Sequence, residues 1–163
     1  GLKSRGVIDD YAVYGAIAVM NYTEPFGTTD LDITVSIKIE SPVILLTPIY
    51  NELTRLGYIW QEEHIIVEGF PVEFMVGDEL EIEAITQANV VKVNNDEVKV
   101  VTPEYLIALF VRSDRPRKDR PKVYMLMEQA MIDYHKLRSL LLKYKLLAKF
   151  DRIYEVNWSQ HEH

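Results

Sequence analysis

The segment Leu31 to Glu40, LDITVSIKIE, alternates apolar and polar residues without a break. That is the pattern of a strand with one face buried and one face open, so the chain must build a sheet and cover one side of it. With 163 residues, 48% of them hydrophobic, the sequence can close one core without chemical staples. It has no cysteine, which excludes a disulfide scaffold, a thiolate zinc site and a cysteine nucleophile. No apolar run approaches the roughly 18 residues of a membrane span, and the N-terminal stretch lacks the apolar segment of a secretory signal. A cytoplasmic protein with no membrane partner is expected.

Around that strand the remaining elements fall in the order α, mostly β, then α. Near-helical spacing of Ile8, Tyr11, Tyr14, Ala18 and Tyr22 predicts a helix over Val7–Tyr22, ended by the turn residues Pro25 and Gly27. Thr47-Pro48 opens a helix that stops before Gly57. Tyr58–Val67 and Phe70–Val76 read as strands joined by Glu68-Gly69, a hairpin beside the first strand. Asp78–Ala88 reads as a short acidic helix, and Val90–Val93 with Val98–Val101 as a second hairpin. Beyond Thr102 the pattern is helical: a helix capped by Thr102 with Pro103 in its first turn, then Val123–Met131 and Asp133–Phe150, with Asp133 as a cap. One domain over 1–163 is expected, its α/β core at about 7–101 and C-terminal helices at 102–150 packed on that core.

Charge is segregated. Arg112–Lys122, RSDRPRKDRPK, carries a local +4 in a chain of net charge −7. Pro116 and Pro121 predict an extended surface loop there, open to three readings: contact with nucleotide phosphates, contact with a polynucleotide, or a solvated segment that offsets the acidic remainder. Asp30 and Asp32 stand two apart at the start of the alternating strand, so their carboxylates share one face while Leu31 and Ile33 enter the core. Held together they repel, and a divalent cation bridging to phosphates, Mg²⁺ or Mn²⁺, would stabilise them. A solvated strand start satisfies the same pattern. His64 falls in a predicted strand and His135 in a helix, and no histidine pair has helical metal-ligand spacing. Nucleophile-elbow, Walker-type and dinucleotide-binding glycine motifs are absent.

The run YGAIAVMNYTEPFGTTDLDI resembles the opening motif of the nucleotidyltransferase superfamily that includes DNA polymerase beta. More narrowly, Tyr22, Glu24, Pro25, Thr28, Asp30, Asp32 and Ile33 resemble the YxEPRxTxDxDI pattern of AbiEii-type toxin nucleotidyltransferases, and TPEYLIAL (Thr102 to Leu109) with the basic run after it is similar to a second stretch of that group. The strand around Phe70-Pro71-Val72-Glu73 is similar to the family strand that carries a third carboxylate, with Glu73 where Asp is usual. The chain departs from the family pattern at Phe26, Phe110 and Lys122.

The resemblance implies an α+β fold, a small mixed sheet flanked by helices with a helical C-terminal part. It implies an enzyme that moves a nucleoside monophosphate from an NTP to an acceptor hydroxyl on RNA, a protein or a small molecule, with a cognate antitoxin as a further partner if the toxin likeness holds. Asp30, Asp32 and Glu73 would be the catalytic and metal-binding residues. Gly15 and Ala16, by leaving room for close backbone approach, Thr28 and Thr29, by their hydroxyls, and Lys118, by its match to the family, would meet the nucleotide. The alternative is a nucleotide-binding or protein-interaction module of the same fold with a degenerate site.

Overall fold

The computed structural model describes residues 1–37 and 46–161. The chain divides into two compact units, one made of Gly1–Ile17 with Gly27–Val101 and the other of Ala18–Phe26 with Thr102–His163. The architecture is α+β, as expected from the order of elements.

In the first unit seven strands form one mixed sheet. They are β1 (Asp10–Tyr14), β2 (Leu31–Ser36), β3 (Ile59–Gln61), β4 (His64–Val67), β5 (Phe70–Val76), β6 (Asn89–Val93) and β7 (Asp96–Val100), in the spatial order β3-β4-β5-β2-β1-β7-β6. β2 runs parallel to β5 and β1 parallel to β7, while the other neighbours are antiparallel. The helices α1 (Gly15–Met20), α2 (Thr47–Arg55) and α3 (Glu79–Thr86) interrupt this series. Alternation sorts the sheet. Leu31, Ile33 and Val35 of β2 lie beside Val72, Phe74 and Val76 of β5 on one face, where Ile49 and Leu53 of α2 join them in the core. Full burial of each such side chain contributes roughly 1.5–3 kcal/mol. Asp32 and Thr34, beside Glu73 and Met75, therefore occupy the opposite face.

Two expectations fail here. The helix over Val7–Tyr22 is instead strand β1 followed by the short helix α1. β1 lies inside the sheet between β2 and β7, with Ala12 fully buried and Val13 nearly so. A strand covered on both faces loses its period of two and reads as a continuous apolar run. The strand expected over Tyr58–Val67 is two strands, β3 and β4, because Glu62 takes a left-handed conformation (φ 57°) and turns the chain. Residues 38–40, the end of the alternating segment, lie outside the described residues.

The second unit is helical: α4 (Pro103–Ser113), α5 (Arg120–Gln129), α6 (Tyr134–Lys143), α7 (Leu147–Tyr154) and a 3₁₀ turn over Trp158–His161. Every residue of α4 from Pro103 to Val111 is buried, and α5 and α6 pack against it. Phe110 and Lys122, two of the departures from the family pattern, meet: the Lys122 ammonium lies 5.4 Å from the centre of the Phe110 ring.

Sequence expectations are corrected in this unit as well. Thr102 sits at the N-cap of α4 in extended conformation, but its side chain makes no capping bond and its buried hydroxyl finds no hydrogen-bond partner among the described residues. Arg112–Lys122 is not an extended loop. Its ends belong to α4 and α5, and Pro121 stands in the first turn of α5. Asp133 does cap a helix, accepting from the Lys136 N–H at 2.9 Å. That helix stops at Lys143 rather than running to Phe150, because Lys145 adopts φ 58°. The Leu146 N–H then bonds the Leu141 carbonyl and the Lys145 N–H the Leu142 carbonyl, a complete Schellman closure without glycine.

Candidate functional site

The polar face of the sheet carries one row of chemistry. Tyr14 on β1 is the register partner of Asp32 on β2, and Asp32 is the register partner of Glu73 on β5. β4 and β5 pair as Ile65 with Val72, so His64 lies one step further along, opposite Glu73. Partners across a ladder point to the same side, and the row therefore runs Tyr14, Asp32, Glu73, His64 over four adjacent strands. Asp30, two residues before Asp32, joins it just ahead of β2.

Among the described residues, Asp30, His64 and Glu73 each offer a ligand atom within 4.8 Å of the others. The His64 Nε2 is 3.5 Å from Asp30 Oδ2, yet it is buried and makes no hydrogen bond. At such a length and alignment the contact is no hydrogen bond. Among the described residues, the Asp30 carboxylate receives long bonds alone, from the Thr28 hydroxyl at 3.5 Å and the Thr29 hydroxyl at 3.4 Å. No hydrogen bond among the described residues reaches the Glu73 carboxylate, although its charge is felt nearby: burial first, and Glu73 second, raise the Tyr50 phenol above its ordinary value. Two carboxylates, an orphaned imidazole nitrogen and this spacing fit a divalent cation, since oxygen and nitrogen ligands gather around one ion at such separations.

Gly15 carries the tightest steric requirement in the unit. Its φ is +65°, and a Cβ placed on it would stand 1.9 Å from Asp32 Oδ2. Only glycine permits both the conformation and the carboxylate lying against the backbone. Ala16 beside it is buried. Thr28 and Thr29, expected to face phosphate, turn their hydroxyls toward Asp30, Thr28 also bonding the Asp30 carbonyl at 3.2 Å. The structure thus brings Asp30 and Glu73 together and sets Asp32 in the same row against Gly15.

Lys118 belongs to the second unit, in the turn between α4 and α5, where its side chain is exposed and its N–H bonds the Arg115 carbonyl at 3.1 Å. The basic run around it folds on acids of its own. Asp119 is fully buried and accepts from the Ser113 hydroxyl at 2.7 Å, from the Arg115 N–H at 2.8 Å and from the Arg115 guanidinium. Burial alone would raise its carboxyl, but these donors outweigh it and hold it below the ordinary aspartate value. Asp114 pairs with Arg120 at 2.9 Å.

His64 was missed by spacing rules written for helices. Its signal was the hairpin. A two-residue turn at Glu68-Gly69 pairs Val67 with Phe70, and counting outward puts His64 across from Glu73. Both turn residues have positive φ, 52° and 81°, as a type I′ turn requires.

No protein-family model and no curated protein matches the chain. Among solved structures, a nucleotidyltransferase-like antigenic protein from Paracoccidioides brasiliensis is similar at 17% identity, with a TM-score of 0.55 over 95% of this chain and 92% of that one. The antibiotic-resistance factor ANT(2'')-Ia also matches, at 12% identity and a TM-score of 0.49, covering 99% of this chain and 92% of that one. A second structure of ANT(2'')-Ia, in complex with adenylyl-2''-tobramycin, gives 12% identity and a TM-score of 0.48 over 88% and 90% of the two chains. The likeness at a TM-score of 0.55 is one of fold: this chain and that nucleotidyltransferase-like protein share an architecture.

Proposed function

We propose that the protein is a metal-dependent nucleotidyltransferase that moves a nucleoside monophosphate from an NTP to an acceptor hydroxyl. The observation that carries this reading is the convergence of Asp30 and Glu73 in one open row with Asp32, on a sheet of this fold. Asp30, Asp32 and Glu73 would hold Mg²⁺ or Mn²⁺, with His64 within reach. When bound, such ions neutralise charge on the transferring phosphoryl group and on the departing pyrophosphate.

The chain's own residues supply the rest. Glu73 would help take the proton from the acceptor hydroxyl as that hydroxyl's oxygen bonds to the α-phosphorus and the bond to pyrophosphate breaks. Thr28 and Thr29 orient Asp30 through their hydroxyls. Gly15 lets Asp32 lie flush against the backbone, the close approach that a Cβ would forbid. Lys118, exposed in the second unit, enters the proposal as a phosphate ligand only by its match to the family pattern. The acceptor class, whether RNA, protein or small molecule, and a toxin–antitoxin role go with the AbiEii-type likeness.

Incorporation of α-labelled NTP into acceptor, measured with each of the four NTPs, tests the reading. Label should transfer with the wild type and be abolished in Asp30→Asn and Asp32→Asn. Thermal stabilisation by NTP with no transfer to any acceptor class would instead make the protein a nucleotide-binding module.

A further inference from the structure

Carboxylates alone would make this row a site for a hard ion. His64 changes its chemistry. Its imidazole comes from β4, a different strand from those bearing Asp32 and Glu73; one of its ring nitrogens lies within 4.8 Å of a carboxylate oxygen on each of Asp30 and Glu73, and its Nε2 stands 3.5 Å from Asp30 Oδ2. That nitrogen is buried and unsatisfied, while the side chain as a whole keeps 21% of its surface. A buried polar atom without a hydrogen-bond partner is destabilising unless a ligand satisfies it. The β3–β4 and β4–β5 turns fix its place, since Gln61 pairs with His64 on one side and Ile65 with Val72 on the other.

We infer that His64 is a nitrogen ligand of the ion held by Asp30 and Glu73, and that this site selects a first-row transition-metal ion of the Mn²⁺, Co²⁺ or Zn²⁺ kind over Mg²⁺. Imidazole suits borderline ions, whereas Mg²⁺ takes oxygen ligands and sheds water reluctantly. One nitrogen among the ligands therefore shifts preference along the transition series. The inference rests on the proposed transferase only for its setting, because it names the ion that the same row takes.

The test uses the metal-free full chain without nucleotide. Mn²⁺ is titrated and followed by electron paramagnetic resonance, with Mg²⁺ as competitor, and the bound Mn²⁺ is examined by spin-echo modulation for directly coordinated ¹⁴N. The wild type should bind Mn²⁺ with a ¹⁴N coupling and resist Mg²⁺. His64→Ala should lose the coupling, and its Mn²⁺ affinity should fall by at least the roughly 10–100-fold that follows loss of an outer-shell partner. His64→Gln, which keeps a polar side chain of similar reach, guards against misfolding and should lose the coupling too.

Absence of ¹⁴N coupling in the wild type, unchanged Mn²⁺ affinity in both variants, or no Mn²⁺ binding at all overturns the assignment. Label transfer separates it from the transferase reading. Transfer that persists in Mg²⁺ with no nitrogen on the ion sinks the ligand role and leaves the enzyme, whereas nitrogen-bound Mn²⁺ without transfer does the reverse.

Discussion

Two acidic clusters in this protein have opposite characters. Asp119, in the helical unit, is fully buried and takes hydrogen bonds from Ser113, from the Arg115 backbone and from the Arg115 guanidinium. Asp30 and Glu73, in the sheet unit, stand beside an imidazole whose Nε2 makes no hydrogen bond among the described residues and lies 3.5 Å from Asp30 Oδ2, and the hydroxyls that reach the Asp30 carboxylate do so at 3.4 and 3.5 Å. A carboxylate with its lone pairs satisfied locks a turn. One with few donors keeps lone pairs open, as the proposed metal site requires.

The sharpest way to break that contrast is to remove the charge from each cluster in turn. Glu73→Gln should lower label transfer by about 10²–10³-fold, the scale of losing one group that acts in a transition state. Melting temperature should stay unchanged or rise, because no hydrogen bond is lost. Asp119→Ala should do the opposite: unfolding free energy should fall by about 2–3 kcal/mol, since the Arg115 N–H, the exposed Arg115 guanidinium and the Ser113 hydroxyl lose a buried charged acceptor. Urea titration measures it.

The pH dependence follows from the same difference. The Asp119 carboxyl titrates lower in the folded protein than in the unfolded chain. Its stabilisation is therefore fully present above the ordinary aspartate range near pH ~4 and is lost as pH falls through the folded value. Asp119→Asn should flatten that acid limb of a stability–pH curve. Gly15→Ala should cost about 1–3 kcal/mol from the positive φ and push the Asp32 carboxylate from its place, so stability and transfer fall together. The smallest effect is expected at Thr102→Val. Its buried hydroxyl makes no bond, and a methyl in that position should raise stability by up to about 1 kcal/mol in the same titration.

Legibility in the sequence tracked how local each signal was. The α2 terminus could be read from Gly57, where φ is +91° and the Tyr58 N–H bonds the Leu53 carbonyl. The end of α6 uses the same closure with Lys145 in the left-handed position, and no glycine marked it. β1 was misread as helix because burial on both faces erased its alternation. The basic run misled in another way: Asp114 and Asp119 inside it pair with Arg120 and Arg115, which ties the turn down instead of extending it.

At the site, Asp30, Asp32 and Glu73 stood out as acids on alternating strands. Their grouping with His64 depended on ladder register, a property of paired strands rather than of either strand alone.

That register makes the stretch from His64 to Glu73 a molecular ruler. One residue added to or removed from the Glu68-Gly69 turn would carry the imidazole to the apolar side of the sheet, whereas β2 and β5, joined by a long crossover, place no such limit on the chain between them. Variation among related chains should accordingly spare the length of this hairpin while letting its turn residues and the crossover drift.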